Sequence, residues 1–175
     1  MFFSGRGDAG FTNVIGGPSL LKCDARLEAL GALDEAQSYL GLARSLLSLT
    51  SFAEPILRVQ QELSLLMTEC ATASRGDPLI TDEHTHQLEK DIALWEESAG
   101  GFRGLSVSGD TVAGAHIHLA RTVVRRAERR VVALLHAGGH VNPSMLAYLN
   151  RLSSWAYMLA AAAEASGNNN CTFAA

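Results

Sequence analysis

Covalent staples are scarce in this chain. Its three cysteines, Cys23, Cys70 and Cys171, are widely spaced, odd in number and form no CxxC pair. That excludes a disulfide framework and a zinc site of the usual spacing, and a reducing cytoplasm is the expected setting. No apolar run approaches the roughly 20 residues of a membrane span. The first ten residues lack a basic stretch followed by an apolar one, so no secretory signal is expected. An excess of positive charge is missing too. The formal net charge is −4, which argues against a general nucleic-acid binder. No strand-like alternation and no internal repeat stand out. The glycine-rich start is not followed by GKS or GKT, so it is not a Walker A loop. Glu83-x-x-His86 matches half of a di-iron carboxylate site, but no second Glu-x-x-His exists, and no metal site is expected.

What is present is helical. The chain has 175 residues, 47% of them hydrophobic, enough for one domain with a real core. Apolar residues recur at 3.6-residue spacing from about Asp24 to Thr50, and again from Pro55 to Gly76. A third helix is expected from Thr81, its cap, to Ser98. A fourth runs from about Asp110 to His136, closed by Gly138-Gly139. Asn142 as cap and Pro143 as first residue open a fifth that ends near Ser166-Gly167. The fold class is therefore all-α: a five-helix bundle of the up-down, ferritin-like type, preceded by a glycine-rich loop. Residues 1–167 form the bundle, with 1–22 as its loop, and 168–175 are expected to be a disordered tail.

One stretch stands out against the acidic background: Arg121-Thr-Val-Val-Arg125-Arg126-Ala-Glu128-Arg129-Arg130. Helical spacing puts Arg121, Arg125 and Glu128 on one stripe, and Arg126, Arg129 and Arg130 on the next. His118, three residues before Arg121, could join the first stripe. The whole helix from Asp110 to His136 has no lysine. Guanidinium forks on a rigid helix suit polyphosphate recognition, whereas a solubilising face would mix lysine with arginine. The plain alternative is a solvated basic face with internal pairs to Glu128. The segment from Ser4 to Asn13 offers glycines whose backbone N–H groups can turn toward an anion, with Ser and Thr hydroxyls beside them. Its plain alternative is a flexible terminus. Lys22 reads as a phosphate neutraliser or as a surface lysine. Asp34-Glu35 is either the exposed face of its helix or the partner of a fourth-helix arginine. Asn150, a poor helix former between two leucines, binds a ligand or is a structural amide.

Three blocks in this order resemble one family. They are Gly7-Asp8-x-Gly10-x-Thr12 with Gly16-Gly17 and Lys22-x-Asp24; Glu28-Ala29-x-Gly31-x-x-Asp34-Glu35; and His118-x-x-Arg121-Thr-x-x-Arg125-Arg126-Ala127-Glu128-Arg129 with Tyr148-Leu149-Asn150-Arg151-Leu152-Ser153. Together they are similar to the PduO-type ATP:cob(I)alamin adenosyltransferases, over nearly the full length.

The resemblance implies a trimer with active sites between subunits. It implies transfer of the 5′-deoxyadenosyl group of ATP to the cobalt of cob(I)alamin, with Mg²⁺ on the phosphates. It assigns ATP binding to Ser4, Gly5, Arg6, Gly7, Thr12, Asn13 and Lys22 of one subunit. Arg125, Arg126, Glu128, Arg129 and Asn150 of the next complete the site, with Arg125, Glu128 and Arg129 in catalytic roles. Asp34 and Arg121 match a pair that bridges the subunits. A cobalamin reductase and an adenosylcobalamin-dependent enzyme are implied partners; nucleic acid and membrane are not. The chain departs from the pattern in three places. Arg6 stands where the family usually has Thr, and Gly5 where many members carry Lys or Arg. Leu105 stands where a Phe helps displace the lower ligand of cobalamin, with Phe102 three residues earlier as the nearest ring. The departure at Leu105 keeps open a non-catalytic relative, a trimeric ATP-binding module or cobalamin chaperone.

Overall fold

Four of the five helices begin at a capping side chain. The computed structural model describes residue 5 and residues 7–14, 17–72, 77–99, 104, 106–166 and 172–173. Two short strands, β1 (Phe11–Asn13) and β2 (Ser19–Leu21), precede five helices: α1 (Ala25–Leu46), α2 (Ala53–Ala71), α3 (Asp82–Ser98), α4 (Val112–His136) and α5 (Pro143–Ser166). Asp24 caps α1, its carboxylate accepting the Arg26 N–H at 2.8 Å. At α3, His84 Nδ1 reaches back to accept the Thr81 N–H at 3.2 Å. Thr111, one residue later than expected, caps α4 by accepting the Gly114 N–H at 2.9 Å. Asn142 caps α5 through the Ser144 N–H at 3.1 Å, with Pro143 in the first turn as expected. α4 ends at Gly138, whose φ of +83° lets the chain turn back while its N–H meets the Leu135 carbonyl.

Apolar faces set the arrangement. α1 packs against α2 and α4, α4 against α5, and α5 against α3. Leu33 and Leu40 of α1, Ile56, Leu63 and Leu66 of α2, Ile117 and Val124 of α4, and Leu149, Leu152 and Trp155 of α5 are fully buried in one core. Burial of that size, at about 25 cal/mol per Å² of apolar surface, is the main force holding the helices. Among the described residues no helix is long and apolar enough to cross a membrane.

One feature differs from the sequence reading. The N-terminal loop contains an antiparallel hairpin, with Phe11 opposite Leu21, Thr12 opposite Leu20 and Asn13 opposite Ser19. Strands of three residues are too short to show alternation in sequence. Within the segment expected to be a disordered tail, Thr172 and Phe173 are the described residues, and both make contacts. Thr172 donates its N–H and hydroxyl to the Asp110 carboxylate at 2.6 and 2.9 Å, and its carbonyl accepts the Val107 N–H at 2.7 Å. Phe173 forms an isolated bridge with Ser106. Both carboxylate oxygens are used in these charge-assisted bonds.

Candidate functional site

The rotation of α4 is fixed by its buried side. Ile117, Ala120, Val124, Ala127 and Val131 face the core. Arg125, Arg126, Arg129 and Arg130 are therefore exposed, and Glu128 is half-buried. Arg126 pairs with Glu35 of α1, and Arg130 with Glu28 at 3.5 Å. Both pairs are half-exposed, so each contributes little stability. Arg125 and Arg129 make no ion pair or hydrogen bond among the described residues. Two guanidinium groups on one exposed face are thus available for an anion. Arg121 is different. It is half-buried, and its Nε is enclosed with no partner among the described residues. Asp34 is exposed and makes no pair with Arg121 within the chain; the carboxylate that meets an α4 arginine is that of Glu35.

The glycine loop is shaped by close approach. The Gly7 carbonyl accepts the Gly10 N–H at 3.2 Å, and the Gly10 carbonyl accepts the Lys22 N–H at 2.9 Å. Gly5 and Gly10 hold φ of +70° and +83°, which side chains rarely adopt. Lys22 Nζ lies 3.1 Å from where a Cβ on Gly7 would sit, so a larger residue there would push the ammonium away. Thr12 and Asn13 lie on β1, the first half-buried and the second exposed. The hairpin thus carries the loop and Lys22 together to the cap of α1. Asn150 is exposed on α5. Among the described residues no hydrogen bond or ion pair joins the loop to the arginine face. Ser4, Arg6, Phe102 and Leu105 lie outside the described residues. Glu83 and His86 are both exposed, and no group of three metal-ligating side chains occurs among the described residues.

The family model described as cobalamin adenosyltransferase matches residues 2–163. This chain belongs to that family. It is similar to a corrinoid adenosyltransferase of Bacillus subtilis, 35% identical over 161 residues that cover 89% of this chain and 81% of that protein. It is 32% identical over 162 residues to the corrinoid adenosyltransferase PduO of Salmonella typhimurium, covering 90% of this chain and 48% of PduO; it spans about half of that relative. Its fold matches a variant PduO-type ATP:corrinoid adenosyltransferase from Lactobacillus reuteri complexed with cobalamin and ATP. The TM-score is 0.93, with 28% identity and 99% of both chains covered.

Two polar clusters inside this adenosyltransferase-family bundle went unread in the sequence. The first joins α2, α3 and α5. Arg58 Nη2 meets Asp91 Oδ2 at 2.6 Å and its Nε lies 3.3 Å from Glu62 Oε1. Tyr148 donates to Glu62 Oε2 at 2.6 Å, and Trp155 Nε1 to Asp91 Oδ2 at 2.7 Å. Burial raises the Glu62 carboxyl above its ordinary value, against the lowering pull of the Tyr148 hydroxyl and Arg58. Burial and then the Glu62 charge push the Tyr148 phenol well above its own. A usable signal existed: Glu62 falls on the same helical stripe as Val59, Leu63 and Leu66. The second cluster surrounds His118, which is 2% exposed. Its Nε2 is 3.3 Å from Ser106 Oγ, and its ring meets Tyr157 edge-on at 5.8 Å. Burial, then the Arg121 charge, lowers its pKa below the usual histidine value. His118 therefore does not stand on the arginine face as a ligand group.

Proposed function

We propose that this protein transfers the 5′-deoxyadenosyl group of ATP to cob(I)alamin. Cobalt(I) attacks the ribose C5′, the C5′–O bond breaks, and triphosphate leaves with the bonding electron pair. Adenosylcobalamin is the product. The observation that carries the reading is the pair Arg125 and Arg129, exposed and unengaged among the described residues on a lysine-free helix, in a chain of the adenosyltransferase family. Cobalt(I) is itself the nucleophile. The chain's tasks are to orient C5′ toward cobalt and to stabilise charge on the departing triphosphate. The described residues offer no carboxylate cage for Mg²⁺. The ion belongs with the phosphates, as is usual for it, and no step is assigned to it.

The active site of this reading lies between subunits of a homotrimer in the cytoplasm. Ser4, Gly5, Arg6, Gly7, Thr12, Asn13 and Lys22 of one subunit bind ATP. Arg125, Arg126, Glu128, Arg129 and Asn150 of the next complete the site. Two facts support the division: among the described residues the loop and the arginine face share no bond within one chain, and the enclosed Arg121 Nε has no acceptor. Asp34 of a neighbour would supply one. An enclosed guanidinium N–H left without an acceptor is costly, so the pair would favour assembly. A reductase supplies cobalt(I), and an adenosylcobalamin-dependent enzyme takes the product.

The test is to mix the protein with ATP, Mg²⁺ and chemically reduced cobalamin and follow the spectrum. Conversion of cob(I)alamin to adenosylcobalamin, with one triphosphate released per turnover, is the expected result. The Leu105 position favours the second reading, a non-catalytic ATP-binding or cobalamin-chaperone relative. ATP binding without adenosylcobalamin would establish it instead.

A further inference from the structure

We propose that Tyr157 and His118 are positioning residues that set the chain on either side of residue 105, and through it the corrinoid side of the site. The inference rests on the adenosyltransferase reading for its function and on the clamp below for its geometry. One phenolic oxygen holds two peptide groups. Tyr157 Oη donates to the Gly104 carbonyl at 2.6 Å and accepts the Ser106 N–H at 3.0 Å. Those two groups flank residue 105 in the chain. Gly104 takes a φ of +121°, a conformation open to glycine and little else. Ser106 is gripped a second time, its Oγ 3.3 Å from His118 Nε2.

The clamp is itself braced. The His118 ring packs edge-on to the Tyr157 ring, and both side chains project from long helices, α4 and α5. His118 is almost wholly buried, where hydrogen bonds compete little with water. Beyond Ser106 the chain is fastened again, by Thr172 to Val107 and Asp110. His118 and Arg125 lie seven residues apart on one helix, about 10 Å along its axis at 1.5 Å per residue. A single rod therefore carries the grip on Ser106 and the arginine face proposed for triphosphate.

Tyr157→Phe removes both hydrogen bonds and keeps the ring against His118. Hydrogen exchange at the Ser106 amide should quicken in the folded protein, and this readout needs no turnover. In the assay, kcat should fall about tenfold, as a small misplacement of reacting groups does. KM for ATP should stay within twofold. The fraction of bound cob(II)alamin showing the four-coordinate absorption signature should fall in parallel. Ser106→Ala, which removes only the bond to His118, should shift the same quantities by about threefold and serves if Tyr157→Phe folds poorly. His118→Gln, with an amide in reach of Ser106, should restore much of what His118→Ala loses. Unchanged Ser106 exchange overturns the clamp. Unchanged kcat and cobalt(II) spectrum in both variants overturn its role in positioning. A change in KM for ATP equal to that in kcat would mark a general structural defect and overturn it too. If the wild-type chain binds ATP and cob(II)alamin but transfers nothing, the functional reading fails. The clamp is then judged by Ser106 exchange and the cobalt(II) spectrum alone.

Discussion

Tyr148 buries its hydroxyl completely and spends it on Glu62, at 2.6 Å, across the gap between α5 and α2. The carboxylate is also next to Arg58, which reaches on to Asp91 of α3. α2 is thereby tied to two helices by polar groups rather than by apolar surface alone. Tyr148→Phe would leave Glu62 Oε2 facing a ring edge with no donor. Denaturant titration should show a loss of about 1–3 kcal/mol, the cost of stranding a buried acceptor. No loss would mean that water replaces the hydroxyl.

His118 gives a pH prediction. Burial and Arg121 hold its folded pKa below the value near 6.5 that the unfolded chain has. As pH falls through about 6.5, the unfolded chain takes up a proton that the folded state resists. The stability present above that pH is therefore lost progressively as pH drops toward the folded pKa. Unfolding midpoints measured from pH 7.5 to 5.5 should fall in the wild type and fall less in His118→Gln. Equal slopes would assign the dependence to other groups.

Two helical glycines should respond oppositely to alanine. A Cβ on Gly114 would sit 2.0 Å from Glu164 Oε1 and 2.8 Å from the capping Thr111 Oγ1. Gly114→Ala should cost about 1–3 kcal/mol through overpacking. Gly31 in α1 has open space around it, so Gly31→Ala should add about 0.5–1 kcal/mol. Thermal melts decide both. A loss at Gly31 would show that a second chain packs there.

Arg125 and Arg126 should separate in their effect on ATP. Arg125 is unengaged, while Arg126 already holds Glu35. Arg125→Ala should weaken ATP binding about 10- to 100-fold, equivalent to one or two charge-assisted hydrogen bonds. Arg126→Ala should lose less, since its guanidinium must first release a carboxylate. Calorimetric titration with ATP is the measurement. Equal losses would show that Glu35 yields at no cost.

The bundle was legible because its signals are local. Asn142-Pro143 and Gly138-Gly139 mark helix ends whatever surrounds them, and the leucine spacing of α1 and α2 is long enough to count. The hairpin was not legible, since Phe11–Asn13 and Ser19–Leu21 are too short for a period. Glu62, Asp91 and Tyr148 come from three helices, and no spacing within one helix announces such a meeting. The arginine face was visible as composition. Which arginine pairs with which acid was not, because Glu35 and Asp34 are neighbours and only the twist of α1 against α4 selects Glu35. Spacing alone allows His118 to join the arginine stripe; packing turns it inward.

The arginine-only make-up of α4 has one more consequence, for covalent modification. Guanidinium groups are not acetylated as lysines are, so acyl donors in the cell leave that face charged. Lys22 and Lys90 are the chain's two lysines, and Lys22 is the one against the glycine loop. In the proposed nucleotide site, any sensitivity to lysine acylation would reside in that single ammonium, on the hairpin side and not on the helix.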